Sequence, residues 1–246
     1  MTIGSSALPE ASGVSPLNRD PLYERVYQEV RRMLMEGVFA PGAELTLRSL
    51  SQAFGTSDMP VRDALRRLIS EGALSARSNR SPIVRQLTRE QFEEVRDVRM
   101  LIEGAATANA CDAVSEPMLR AVRGLHRDLR EAAETDVALH LNLNRRFHFT
   151  IYAACGMPLL VSMIEALWLQ IGPLYRSLSI PLLRSNLPDY HHRIVRALEQ
   201  RNAAAAAQAV QDDIASASAI IVQKFDAVPN ADTAPELAWR RQPASS

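Results

Sequence analysis

The chain has 246 residues, of which 47% are hydrophobic and 23% charged, and its 28 basic and 28 acidic side chains cancel to zero net charge. This is the composition of an ordinary globular protein, long enough to bury a core and to form two compact domains or one large one. Zero net charge argues against a general polyanion binder, and no run approaches the roughly 18 apolar residues of a membrane span.

Residues 1–20, MTIGSSALPEASGVSPLNRD, have neither a basic n-region nor an apolar h-region and read as a disordered leader of a cytoplasmic chain. From Pro21 onward, Leu22, Val26, Val30, Met33 and Leu34 recur at three- and four-residue steps up to Gly37, which predicts a helix of about four turns. The Pro41–Gly42 pair marks a turn. Thr46 caps the short segment LRSLSQAF, which stops at Gly55, and Ser57 opens SDMPVRDALRRLISEG. Pro60 is tolerated there because an N–H in a first helical turn has no intrahelical partner. After Gly72 the period changes: ALSAR, the polar turn SNRSP and then IVRQL predict a β-hairpin.

Thr88 and Gln91 form a capping box, and Phe92, Val95, Val98, Ile102 and Ala106 continue a helix to about Cys111. Further helices are predicted at 115–133 with Ser115 as cap, 135–155 between a Thr135 cap and a Gly156 stop, 158–178, 187–201 and 203–226. Residues 227–246 lack periodicity and read as a disordered tail. Cys111 and Cys155 sit among small apolar residues and read as buried free thiols. The fold class is therefore mainly α: a winged helix-turn-helix of three helices plus a β-hairpin wing over 21–87, then an all-α bundle of six helices or more over 88–226.

A DNA reader needs a short helix, a tight turn, and a second helix with polar groups at its start. Residues 46–70 supply this order, with Arg62, Arg66 and Arg67 on the second helix and Arg62 and Arg66 on one face. Residues 1–90 hold 12 arginines against 10 acids. The stretch GVFAPGAELTLRSLSQAFGTSDMPVRDALRRLISEGAL closely resembles the winged-helix domain of the GntR family of bacterial transcriptional regulators. That family's pattern runs G-x-x-x-P-G-x-x-L, a short helix, then S-x-x-P-V-R-x-A-L-x-x-L-x-x-x-G-L. The resemblance implies operator contacts from Arg48, from Ser57 capping the recognition helix, from Arg62 within it, and from the wing tip around Arg80; Arg66, on the face of Arg62, is a further DNA-contact candidate. Two positions depart from the pattern: Asp58 stands where members commonly carry Arg, and Ser81 where the wing usually has Gly. Asp58 either accepts from cytosine N4 or caps the helix.

In the second half, Asn144 and His148 share a helical face at four-residue spacing. If the chain reverses at Asn202, His191 and Asp213, eleven residues before and after it, lie opposite each other in an antiparallel helix pair. Taken singly, His148 reads as a hydrogen-bonded core histidine and Asp213 as a solvent-facing neighbour of Asp212. Residues 88–222, through VRDVRMLIEGAATANA, NRRFHFTIYAACGMPLL and HHRIVRALEQRNAAAAAQAVQDDI, resemble the FCD module, an all-α bundle that dimerises and binds small effectors. The resemblance implies a divalent metal on Asn144, His148, His191 and Asp213, with His192 as the alternative should the register slip by one. Asn and Asp stand where members usually have Asp and His, and the resulting N₂O₂ set suits Zn, Ni or Mn. Arg99 matches a position that faces the pocket, where it would pair with an effector carboxylate; its other reading is a surface ion pair with Glu103.

Together these features predict a homodimeric, effector-responsive regulator that acts as a repressor on a palindromic double-stranded DNA operator, without membrane association. The same regulator with a metal-free pocket for an acyl effector is the alternative. A metal-dependent hydrolase on His148, His191 and Asp213 is a remote one, because the sequence holds no HExxH, nucleophile elbow or separate catalytic pair; no enzymatic activity is expected.

Overall fold

The computed structural model describes residues 22–78, 80–133, 135–176 and 189–227. The expected leader, and the expected tail beyond Ala227, lie outside the described residues. The N-terminal part contains helices α1 (Leu22–Met35), α2 (Leu47–Phe54) and α3 (Asp58–Ser70) and strands β1 (Leu74–Arg77) and β2 (Arg80–Val84). Then follow α4 (Arg89–Asp112), α5 (Glu116–Ala132), α6 (Val137–Tyr152) with a 3₁₀ turn over Ala153–Cys155, α7 (Pro158–Tyr175), α8 (Tyr190–Glu199) and α9 (Ala203–Ala227). The architecture is a winged helix-turn-helix followed by a helical bundle.

Local chemistry accounts for most of the boundaries. Thr46 accepts from the Ser49 amide at the start of α2, Thr88 and Gln91 close a reciprocal box at α4, and Ser115 accepts from the Met118 amide at α5. Gly55 ends α2 at φ +62°, a left-handed conformation that glycine adopts without cost. Other boundaries differ from expectation. Helix α6 is capped by Asp136, not Thr135: the Asp136 carboxylate accepts from the Leu139 amide, three residues on. Ser57 sits at the cap position of α3 in extended conformation, but its hydroxyl makes no capping bond. The hairpin turn is shorter than SNRSP: Arg80–Pro82 already belong to β2, with Arg80 opposite Arg77. Segment 42–45 bonds the other edge of β2, through Val84 N–H to the Ala43 carbonyl and Leu45 N–H to the Pro82 carbonyl, so Pro82, which has no N–H to donate, is asked only to accept.

One hydrophobic cluster runs from Val26, Val30 and Leu34 of α1 through Val61 and Leu68 of α3 into Phe147, Ile151, Trp168 and Ile194 of the bundle. The winged helix-turn-helix is therefore fused to the bundle by packing. Helix α1 meets α7 where Gly172 faces the Leu34–Met35 backbone; a Cβ on Gly172 would lie 2.4 Å from the Leu34 carbonyl oxygen. Ion pairs border this seam. Arg31 holds Glu165 at 3.0 Å, and the buried Glu36 carboxylate accepts from Asn142 Nδ2 at 2.8 Å and Arg145 Nε at 3.0 Å while also pairing with Arg32. Helix α7 overturns one expectation: by length and composition its 18 residues are apolar enough to cross a membrane. Here its buried residues Ile164, Trp168, Leu169 and Ile171 pack into the core.

Candidate functional site

Helix α3 buries Val61, Ala64, Leu65 and Leu68 and leaves Arg62 and Arg66 exposed on the opposite side. These two arginines, with Arg80 and Ser81 of the wing and with Glu44, line a concavity of about 560 Å³ between helix and hairpin. Arg48 is exposed at the start of α2, and Arg48, Ser57 and Asp58 lie outside this lining. Asp58 accepts from Ser51 Oγ at 2.6 Å and so fastens the start of α3 to α2. Arg67 turns away: it pairs with Glu24 and Glu71 and stacks 3.8 Å from the Tyr27 ring centroid, a packing role within the head.

Within the bundle, α6, α8 and α9 bring together all four residues singled out from the sequence. One ligand atom each from His148, His191 and Asp213 lies within 4.8 Å of the others, and His191 Nε2 stands 2.9 Å from Asn144 Oδ1. His148 is buried, Asp213 is only 20% exposed, and His148 Nε2 approaches Asp213 Oδ2 at 3.3 Å. The solvent-facing reading of Asp213 is thus corrected, while Asp212 turns outward to Arg193. His192 is exposed and outside the cluster, so the eleven-residue register holds without slipping.

Burial pushes the His191 imidazole down to about 4, against the pull of Asp213 and with help from His148, His140 and His126. Burial works to raise Asp213, but the neighbouring His191 and His148 and the more distant Arg99 outweigh it and hold the carboxyl at about 2. A neutral imidazole beside an ionised carboxylate is the donor set a divalent cation takes.

Both halves match known families. The model described as bacterial regulatory proteins, gntR family, matches residues 22–84, and that of the FCD domain matches residues 94–216, half of the chain. The chain belongs to the GntR family. It is a transcriptional regulator of the GntR/FCD type, a family of DNA-binding proteins. This GntR protein is 29% identical over 219 residues to the HTH-type transcriptional regulator McbR of Escherichia coli K12, covering 87% of this chain and 99% of that one. The probable D-xylose utilization operon transcriptional repressor of Paenarthrobacter nicotinovorans is 25% identical over 201 residues, 81% of this chain and 88% of the other. Among solved structures, E. coli McbR/YncC superposes with a TM-score of 0.78 at 28% identity, over 87% and 100% of the two chains. A putative GntR regulator from Rhodococcus sp. RHA1, with a TM-score of 0.68 at 23% identity over 82% and 98%, shares the fold.

The GntR protein also surrounds His148 with residues that sequence reasoning missed. Arg99 does pair with Glu103, at 2.7 Å, but both are buried, so the surface ion pair expected there is corrected. Arg99 Nη1 donates to Tyr175 Oη at 3.0 Å, and its guanidinium lies 5.2 Å from the Trp168 ring centroid. Glu103 accepts in addition from Tyr152 Oη at 2.5 Å and Trp168 Nε1 at 3.1 Å. Tyr152 has one proton and gives it to Glu103, so its 3.2 Å contact with His148 Nδ1 calls for a proton on that nitrogen. Nε2 is thereby aimed at Asp213. The available signal was the four-residue spacing of His148 and Tyr152, which places both on one helical face.

Proposed function

We propose that this chain is a homodimeric transcriptional repressor acting in the cytoplasm, with a reading head over 21–87 and an effector-responsive bundle over 88–226. Its head would read a palindromic operator, Arg62, Arg66 and Arg80 meeting the groove and its phosphates from one concavity while Arg48 and the Ser57 hydroxyl meet phosphate. Asp58 would set the angle of α3 through Ser51 and keep one carboxylate oxygen for a base-edge donor. Exposed apolar residues of the bundle, Leu101 at 69% and Leu159 at 74%, favour a second copy as partner.

The observation that carries effector control is the convergence of Asn144, His148, His191 and Asp213. The 3.3 Å between His148 Nε2 and Asp213 Oδ2 puts a ring nitrogen and a carboxylate oxygen within reach of one cation. The His148 proton on Nδ1 leaves two lone-pair-bearing atoms facing each other, an arrangement a cation relieves. These residues fit Zn, Ni or Mn, and such an ion would supply a positive charge for an effector carboxylate. Arg99 has Nε and Nη1 engaged by Glu103 and Tyr175, so its part is to neutralise Glu103 beneath the site.

Fluorescence anisotropy of full-length protein on its own upstream DNA at about 0.1 M salt tests this reading. Adding metal and small carboxylates should change operator affinity by about 5- to 150-fold, the range of ordinary allosteric coupling, and elemental analysis should find the metal bound. Protein that takes up no metal and whose DNA affinity ignores both additions would refute effector control.

A further inference from the structure

Within the helix-turn-helix, one apolar side chain is out of place. Met59 is 63% exposed, and among the described residues it is the sole large hydrophobic side chain exposed between Thr46 and Ser70. It is the second residue of α3, at the amino end that a recognition helix presents to base edges. At about 100° per residue, Met59, Arg62 and Arg66 fall within roughly 60° of one another, on one exposed stripe. The buried face of α3 is taken by Val61, Ala64, Leu65 and Leu68, so Met59 is not a core residue displaced by one position. Its neighbours restrict it. Asp58 is drawn back to Ser51, and Pro60 fixes the backbone directly behind.

The two arginines on the stripe suit phosphate or guanine. A thioether suits neither: it carries no charge and no donor, and its sulfur is a weak acceptor. Only one group on the major-groove edge of an unmodified base pair is apolar, the C5-methyl of thymine. Methionine is unbranched and adapts its three torsions to the surface it meets. We propose that Met59 is a specificity-determining residue that reads a thymine methyl in each operator half-site, through apolar contact in the major groove beside the bases or phosphates met by Arg62 and Arg66.

The operator sequence emerges from the test itself. Full-length protein enriches duplexes from a randomised library at about 0.1 M salt, and each thymine of the enriched half-site is then replaced in turn by uracil, which removes only the methyl. Binding of wild type should weaken about four-fold per half-site at one thymine, the effect of leaving one methyl group unburied. Met59→Ala should bind the thymine and uracil duplexes equally at that position and remain sensitive to changes at the other positions. Met59→Leu, which keeps an apolar tip, should retain a preference for thymine. An enriched half-site with no uracil-sensitive thymine, or a Met59→Ala variant with the wild-type thymine preference at every position, overturns the inference and leaves DNA binding intact. Failure to enrich any duplex would overturn DNA binding by this chain as well.

Discussion

Glu36→Gln tests whether the head and bundle are held together by a buried charge. The Glu36 side chain is 5% exposed just past the end of α1, and its carboxylate accepts from Asn142 and Arg145 of α6 while pairing with Arg32 in the last turn of α1. Glutamine has nearly the same shape, so the substitution removes the charge and turns an NH₂ group towards one of the donors. Taking one partner from a fully buried ion pair costs about 3–5 kcal/mol. Here Arg145 keeps 23% and Arg32 40% exposure, and Arg32 also retains Glu29, so water and the second carboxylate recover part of that loss. The expected net destabilisation is about 2 kcal/mol, or a fall in Tm of roughly 4–8 °C for a chain of this size. Urea unfolding followed by circular dichroism measures it, and the Glu36→Gln/Arg145→Met double variant should show a coupling of at least about 1 kcal/mol. A single variant within about 0.5 kcal/mol of wild type, or additive single effects, would refute the idea that this pair fastens α1 to α6.

Gly172→Ala should destabilise by about 1–3 kcal/mol despite alanine's helix-propensity gain of about 1 kcal/mol, because the new Cβ would stand 2.4 Å from the Leu34 carbonyl and force two packed backbones apart; a urea midpoint at or above wild type would contradict this. Tyr152→Phe removes the hydroxyl between Glu103 and His148 while leaving the ring buried, and should weaken divalent-metal binding about 10- to 100-fold, as losses of orienting partners do. Competition against a chelating dye reads that change, with unchanged affinity counting against any orienting role for Tyr152.

Much of this protein was legible in its sequence wherever the governing interactions are local. Thr46, Thr88 and Ser115 mark helix starts because a hydroxyl reaches an amide three residues on, a geometry any short segment can encode. Asn144 and His148 share a face by helical period alone, and His191 meets Asp213 because two helices joined at a tight reversal pair residues at equal distances from the turn. Thr135 failed as a cap since the neighbouring Asp136 competes for the same role and its carboxylate takes the Leu139 amide. Tertiary structure alone decided the rest. Arg99 is buried by α7, which supplies Tyr175 and Trp168 from some 70 residues away. Glu36 finds its partners more than 100 residues along the chain, and Gly172 is required by the backbone of a helix that precedes it by well over 100. Hydrophobic periodicity states which face of a helix is buried but not against what, so the identity of a buried charge's partner appears only when the packed helices choose their neighbours.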